Sequence, residues 1–266
     1  MLEIIKKVKR RFSNLNTLEM KNYYDAEKYC ENINNDCYQS EILCKYRFEK
    51  MDKVLKENNQ FFLPPSINIL LKSIKFFIQS SNKNTPSFVD FGGACGENIL
   101  FLESIFGTEI YNSSWIIETP AQVEESKRWD FSKKINFSSD LNNVLENNNV
   151  DIFFTSCAIN YLKNPYDPLL KVVSNKVPYV ILTRNNFSKN TLFYAQRSKL
   201  SSNGNGKHLK KYKDREIWYP SSTLSEIKIM DIFKKKYSLK LGKNFDNTGV
   251  LNNKCYSKDL IFQIKD

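Results

Sequence analysis

A chain of 266 residues, 41% hydrophobic and 26% charged, carries enough apolar material for a sizeable core, which excludes a disordered or fibrous polymer. Lys and Arg (40) outnumber Asp and Glu (29), leaving a formal charge of +11 that admits nucleic acid, anionic lipid or phosphorylated small molecules as partners. The basic residues are scattered along a Lys- and Asn-rich chain, so they read chiefly as a solvated surface. A nucleic-acid partner is disfavoured, because it needs a basic stripe with interleaved aromatics.

Residues Met1 to Phe12 place Leu2, Ile5, Val8 and Phe12 near one helical face, with Lys6, Lys7, Lys9, Arg10 and Arg11 around it. This is far too short to span a bilayer and fits either weak peripheral contact with an anionic membrane or packing on the protein's own domain. Segments near 17–34, 38–58 and 66–80 have apolar residues at helical spacing, and Pro64 and Pro65 separate the last two. Residues 1–84 are therefore predicted to form a helical extension or cap. The six cysteines, at 30, 37, 44, 95, 157 and 255, include no C-x-x-C pair, so buried thiols in a reducing cytosol are expected and no metal site.

From Ser87 the pattern changes, and residues 85–266 are predicted to form the core domain. Short apolar runs at Phe88–Phe91, Trp115–Ile117, Ile135–Phe137, Ile152–Thr155 and Tyr179–Leu182 alternate with helical stretches. They do not alternate internally, which suits strands covered on both faces of a parallel sheet. Tyr237–Leu241 and Leu260–Ile264, with no convincing helix between them, are predicted to close the sheet as an antiparallel hairpin. The expected fold is α/β: a Rossmann-like, seven-stranded, mostly parallel sheet with helices on both faces. Between Gln196 and Trp218 the sequence reads as an irregular basic loop, broken by Gly204 and Gly206.

The strongest local signal is FVDFGGACGE, residues 88–97, which follows a predicted strand and precedes a helix. Glycine suits a tight turn whose backbone must approach a ligand closely, and the helix start offers unpaired N–H groups. A dinucleotide fingerprint wants G-x-G-x-x-G, but counting from Gly92 finds Ala94 and Glu97 where glycines belong. Asp90, Gly92 and Gly96 instead satisfy D-x-G-x-x-x-G, and an acid at position 90 suits a cofactor with an amino group near the turn, as in an amino-acid-derived sulfonium. Glu118 ends the next predicted strand about twenty residues beyond the loop, where an acid can hold both hydroxyls of a ribose.

At these residues the chain resembles class I S-adenosylmethionine-dependent methyltransferases. More narrowly, it is similar to methyltransferases encoded with bacterial surface-polysaccharide (capsule and O-antigen) genes, through FVDFGGACGEN, WIIETPAQVEE, DIFFTSCAINYLKNPYDPLL, YVILTRNNFS, WYPSSTLSE and the leader DAEKYCENINNDCYQSEILCKY. The resemblance runs from about Asp25 to Phe233. It implies that Asp90, Gly92, Gly93, Ala94 and Gly96 line the methionine end of S-adenosylmethionine, that Glu118 holds the ribose with Thr119 beside it, and that Ser139 and Asp140 lie at the adenine. Thr155, Ser156 and Cys157 would lie next to the methyl group, Cys157 as a small packing residue. The group often has an acid just before Arg184, where this chain has Thr183.

The implied activity is O-methylation of a saccharide, nucleotide-sugar or phosphoramidate-type small substrate in surface-polysaccharide synthesis. Methyl transfer is an in-line displacement that gains much from positioning alone, and a base is needed only if the acceptor keeps its proton at neutral pH. His208 is the lone imidazole and the candidate base. The basic loop around it is a candidate lid over an anionic substrate, with Arg184 and Tyr161 as candidate substrate-side residues and Tyr219, Trp218, Tyr23 and Tyr24 as further aromatics. An RNA methyltransferase and a non-catalytic protein retaining the cofactor fold are the alternatives.

Overall fold

The computed structural model describes residues 17–33, 39–57, 66–81, 83–245 and 254–265. The stretch 1–12 with its expected membrane contact, Cys37, Pro64 and Pro65 lie outside these residues. Among the described residues no helix is long and apolar enough to cross a membrane.

The described chain begins with strand β1 (Thr17–Met20) and helices α1 (Tyr23–Ile33), α2 (Glu41–Lys56) and α3 (Ile67–Ser80). Strands and helices then alternate through β2 (Phe88–Phe91), α4 (Glu97–Phe106), β3 (Ser114–Ile117), α5 (Pro120–Ser126), β4 (Ile135–Ser138), α6 (Leu141–Asn147), β5 (Ile152–Ser156), α7 (Asp167–Ser174) and β6 (Tyr179–Phe187). They are followed by β7 (Phe193–Lys199), β8 (Glu216–Ser222), α8 (Glu226–Phe233), β9 (Tyr237–Phe245) and β10 (Tyr256–Ile264).

The main sheet has the order β4-β3-β2-β5-β6-β10-β9. The first five strands are parallel and β10 pairs antiparallel with both β6 and β9. Both faces are covered, and the strand residues divide between them by parity. Phe88, Ile152, Phe154, Tyr179, Ile181 and Ile261 pack with Ile67, Leu70, Ile74 and Phe77 of α3 and with Ile99 and Leu102 of α4. Val89, Phe153, Val180, Leu182, Leu260 and Phe262 pack on the other face with α6, α7 and α8. This period of two is hidden in the sequence because both parities are apolar. Local chemistry sets the helix starts. Thr119 caps α5 by accepting from the Gln122 N–H with Pro120 in the first turn, and Asp140 and Ser225 cap α6 and α8 in the same way.

A second sheet, of order β1-β7-β8, departs from the expected pattern. Residues 17–20, read as the start of a helix, form a strand whose hydrogen-bond partners lie far along the chain, from Thr17 opposite Gln196 to Met20 opposite Phe193. The stretch read as an irregular loop contains the end of β7 and the start of β8. Pro220 argues locally against a strand, but β8 is an edge, where a missing N–H is tolerated. Helix α1 lies on this sheet, with buried Cys30 packed on Ala195 and Trp218. Asn160 joins the two sheets: its Nδ2 donates to the carbonyls of Asn186 and Ser222, and its Oδ1 accepts from the Asn186 N–H.

The remaining basic loop is docked on α2 rather than poised as a lid. Lys50, almost fully buried, donates from Nζ to the carbonyls of Ser201 (3.2 Å), Asn203 (2.8 Å) and Gly204 (2.9 Å). A Cβ at Gly206 would come within 2.5 Å of Val54, and Lys211 pairs with Glu49 at 2.8 Å. Lys50→Met keeps the packing stem but strands one buried and two partly buried carbonyls, and is expected to lower stability by about 2 kcal/mol. Chemical denaturation measures this, and an unchanged midpoint would show that the carbonyls find water.

Candidate functional site

A cavity of about 700 Å³ opens at the C-terminal ends of β2, β3 and β5, roofed by α1 and β8. This is where ligands bind in open α/β sheets. One wall is the glycine loop. Gly92 (φ 73°) and Gly96 (φ 83°) take the left-handed conformation that favours glycine. The reason for Gly92 is also steric, since a Cβ there would lie 2.1 Å from the Cβ of Ala158. At Gly93 a Cβ would lie 2.6 Å from Cγ of Asp90, so the loop rests directly on that carboxyl. Ala94 is also left-handed (φ 52°), a conformation that glycine adopts more freely than alanine.

Glu118, just beyond the end of β3, lines the same cavity and is hydrogen-bonded to the loop. Its Oε1 accepts from the Ala94 N–H at 2.9 Å and its Oε2 from the Thr119 N–H at 3.1 Å. Burial pushes its carboxyl pKa up; the Arg47 guanidinium and the two N–H donors oppose this, and Glu97 adds to it. Arg47, on α2, is buried and lines the same cavity. It carries a positive charge beside Glu118 and reaches Asn203 Oδ1 at 3.5 Å. The sequence analysis did not single it out. The available signal was a charged residue on the buried stripe of a helix, between Leu43, Cys44 and Met51.

Asp90 does not reach the cavity wall. It is fully buried beneath the loop, where Oδ2 accepts from Asn98 Nδ2 at 3.1 Å, and Asn98 Oδ1 in turn accepts from Ser66 Oγ. Burial pushes its pKa up to about 7, with Glu118 and Glu97 adding to the rise and Asn98 opposing it. The folded state therefore holds a proton that the unfolded chain releases near pH 4. This contribution is fully present below that pH, is lost as pH rises toward 7, and is constant above it. Asp90→Asn, which can still accept from Asn98, is expected to flatten stability between pH 4 and 7. At pH 8 it should raise stability by an amount on the order of 2–4 kcal/mol. Denaturation midpoints across that range check this, and an unchanged pH slope would contradict it.

Ser156, the last residue of β5, and Cys157 and Tyr161 after it also line the cavity. Ser156 Oγ is buried with no hydrogen-bond partner in the protein. Cys157 (φ 64°) approaches the Tyr161 hydroxyl at 3.6 Å, and burial pushes its thiol pKa up, so it stays protonated at neutral pH. Tyr161 packs edge-on against Tyr219 with ring centroids 5.2 Å apart, and its carbonyl accepts from the Tyr23 hydroxyl of α1 at 2.6 Å. Arg184 also lines the cavity, exposed, at φ 58°. An acid from β10 lies beside Thr183. Asp259, placed by a register shift between Lys258 and Leu260, accepts from Thr183 Oγ1 and from the Arg184 N–H (3.3 Å).

Of the residues singled out from the sequence, Gly92, Ala94, Glu118, Thr119, Ser156, Cys157, Tyr161 and Arg184 meet in this cavity. Gly93 and Gly96 shape the loop from behind, and Thr155 is wholly buried in β5. Ser139 and Asp140 are exposed beyond β4, with Asp140 engaged as a helix cap, and do not line the cavity. His208 lies outside the cavity lining, and its Nδ1 is 2.8 Å from the Tyr46 hydroxyl on α2. Its spacing in a basic loop carried no information about where that loop docks.

No protein-family model and no curated protein sequence matches this chain. Solved structures do share its fold. An S-adenosylmethionine-dependent methyltransferase from Clostridium acetobutylicum matches with a TM-score of 0.51 over 84% of this chain and 100% of that one, at 11% identity. CalS10, an amino pentose methyltransferase from Micromonospora echinaspora solved with S-adenosylmethionine bound, matches with a TM-score of 0.50 over 76% of this chain and 93% of that one, at 8% identity.

Proposed function

We propose that this chain is an S-adenosylmethionine-dependent methyltransferase acting on a small, saccharide-like acceptor. The observation that carries the reading is the pairing of the glycine cradle with Glu118, hydrogen-bonded to it, in the lining of one cavity. When bound, the cofactor supplies an electrophilic methyl group on a sulfonium. The backbone at Gly92 and Ala94 admits it closely because no side chain stands there beyond a methyl. Glu118 has lone pairs left for the ribose hydroxyls, and Arg47 would take the carboxylate of the methionine end. The unpartnered Ser156 hydroxyl offers a further hydrogen bond at the strand end.

Residues 85–266 then act as the cofactor-binding core and 1–84 as an extension whose α1 roofs the acceptor side. Surface-polysaccharide assembly is the biosynthetic setting that the sequence resemblance supports. Calorimetry with S-adenosylmethionine tests the reading, together with transfer of labelled methyl to a panel of sugars, nucleotide sugars, phosphorylated compounds and RNA. Binding with label in a small product is expected. Absence of binding would sink the reading, and label in RNA alone would replace the acceptor.

A further inference from the structure

We infer that the methyl acceptor carries an oxyanion, a phosphate or a carboxylate, and that Arg184 is the residue that grips it; this rests on the methyltransferase reading above. Arg184 is the one exposed position in the nine-residue strand β6, whose other residues are all buried. A β-bulge puts it there. Asn185 pairs with Lys258 and Leu182 with Leu260, so Thr183 and Arg184 together stand opposite the single residue Asp259. A bulge of this kind re-aims a side chain that regular pleating would turn to the other face. The cost is a left-handed backbone at Arg184 (φ 58°), which an L side chain resists. Asp259 holds the bulge by accepting from the Thr183 hydroxyl and from the Arg184 N–H.

The side chain so aimed lines the cavity, and its guanidinium makes no ion pair or hydrogen bond among the described residues. Asp259 engages Arg184 through the backbone alone. Among the described residues two cations line the cavity. Arg47 acts on Glu118 and reaches Asn203, whereas the charge of Arg184 is unanswered. Ser156 stands opposite Thr183 on the neighbouring strand and presents to the same cavity a buried hydroxyl without a hydrogen-bond partner. A forked cation and a free hydroxyl donor are the groups an oxyanion takes. The carboxylate of the cofactor is not that oxyanion. Strand β6 lies two strands from β2 and three from β3, about 10 and 14 Å, and Arg47 already stands beside Glu118 at the β3 side. Glu27 and Glu31 line the cavity from α1 and repel an anion from that wall, which directs the negative group of the acceptor to β6.

The experiment saturates the protein with S-adenosylhomocysteine and titrates it with glucose 6-phosphate, glucuronate and glucose by calorimetry at low salt and neutral pH. At least one of the two anions is expected to bind about tenfold or more tightly than glucose, and which one does so separates phosphate from carboxylate. Arg184→Gly removes the guanidinium and relieves the left-handed backbone, so it should keep its melting temperature and lose the preference. Arg184→Gln, which keeps a side chain on the bulge, should lose the preference equally. S-adenosylmethionine affinity should be the same in both variants. If the unmodified protein binds no S-adenosylmethionine, the methyltransferase reading fails and this inference goes with it. If the cofactor binds but neither anion is held more tightly than glucose, the oxyanion alone is overturned. A preference that survives both variants belongs to the basic surface, and loss of S-adenosylmethionine binding in them assigns Arg184 to the cofactor; either result overturns the role given to Arg184.

Discussion

Gly92→Ala is expected to abolish cofactor binding and to lower stability by about 2–4 kcal/mol, from left-handed strain plus overpacking. Two effects combine at this position. The backbone is left-handed, which any L side chain resists. The added carbon would also lie 2.1 Å from the Cβ of Ala158, far inside contact distance. Relief requires the loop to move away from the turn at 158–161, and that turn is anchored by Asn160 to Asn186 and Ser222. The loop must therefore yield, and with it the wall that would take the methionine end. Denaturation and calorimetry on the same preparation separate folding from binding. A variant as stable and as tight-binding as the unmodified protein would remove the glycine cradle from the argument.

Glu118→Ala is expected to weaken S-adenosylmethionine about a hundredfold, the scale of two hydrogen bonds to a charged group. The side chain does two jobs. Its oxygens hold the Ala94 and Thr119 N–H groups, so the left-handed Ala94 loses its restraint when they are removed. It also offers the remaining lone pairs for ribose. Glu118→Gln keeps one acceptor oxygen but brings an NH2 group toward a backbone N–H, so an intermediate loss is expected. Equal affinities for the alanine variant and the unmodified protein would take Glu118 out of the binding site.

The parts of this molecule legible in its sequence are those whose signals are local. The strand Phe88–Phe91 was predicted at its observed bounds, because an apolar run ends abruptly at two glycines that cannot continue it. Strand β6 was predicted only to Leu182, yet runs to Phe187, because its polar second half is held by pairing with Tyr256, Ser257 and Lys258 of β10. Asn185 and Asn186 carry no strand signal of their own. The small sheet was missed for the same reason: four residues at 17–20 become a strand only when Phe193–Gln196 lies alongside.

The sequence by itself determined the alternating α/β core, the glycine loop and the acid at Glu118. Each follows from short-range chemistry: apolar runs, left-handed turns, and a spacing counted along one βαβ unit. Only the tertiary structure decided what faces the loop. It brought Arg47, Glu27 and Glu31 to the cavity from helices distant in sequence, placed Asp259 beside Arg184 from the last strand, and carried His208 away to Tyr46. Those placements depend on how separate elements bury their apolar faces against one another, and no local spacing encodes that.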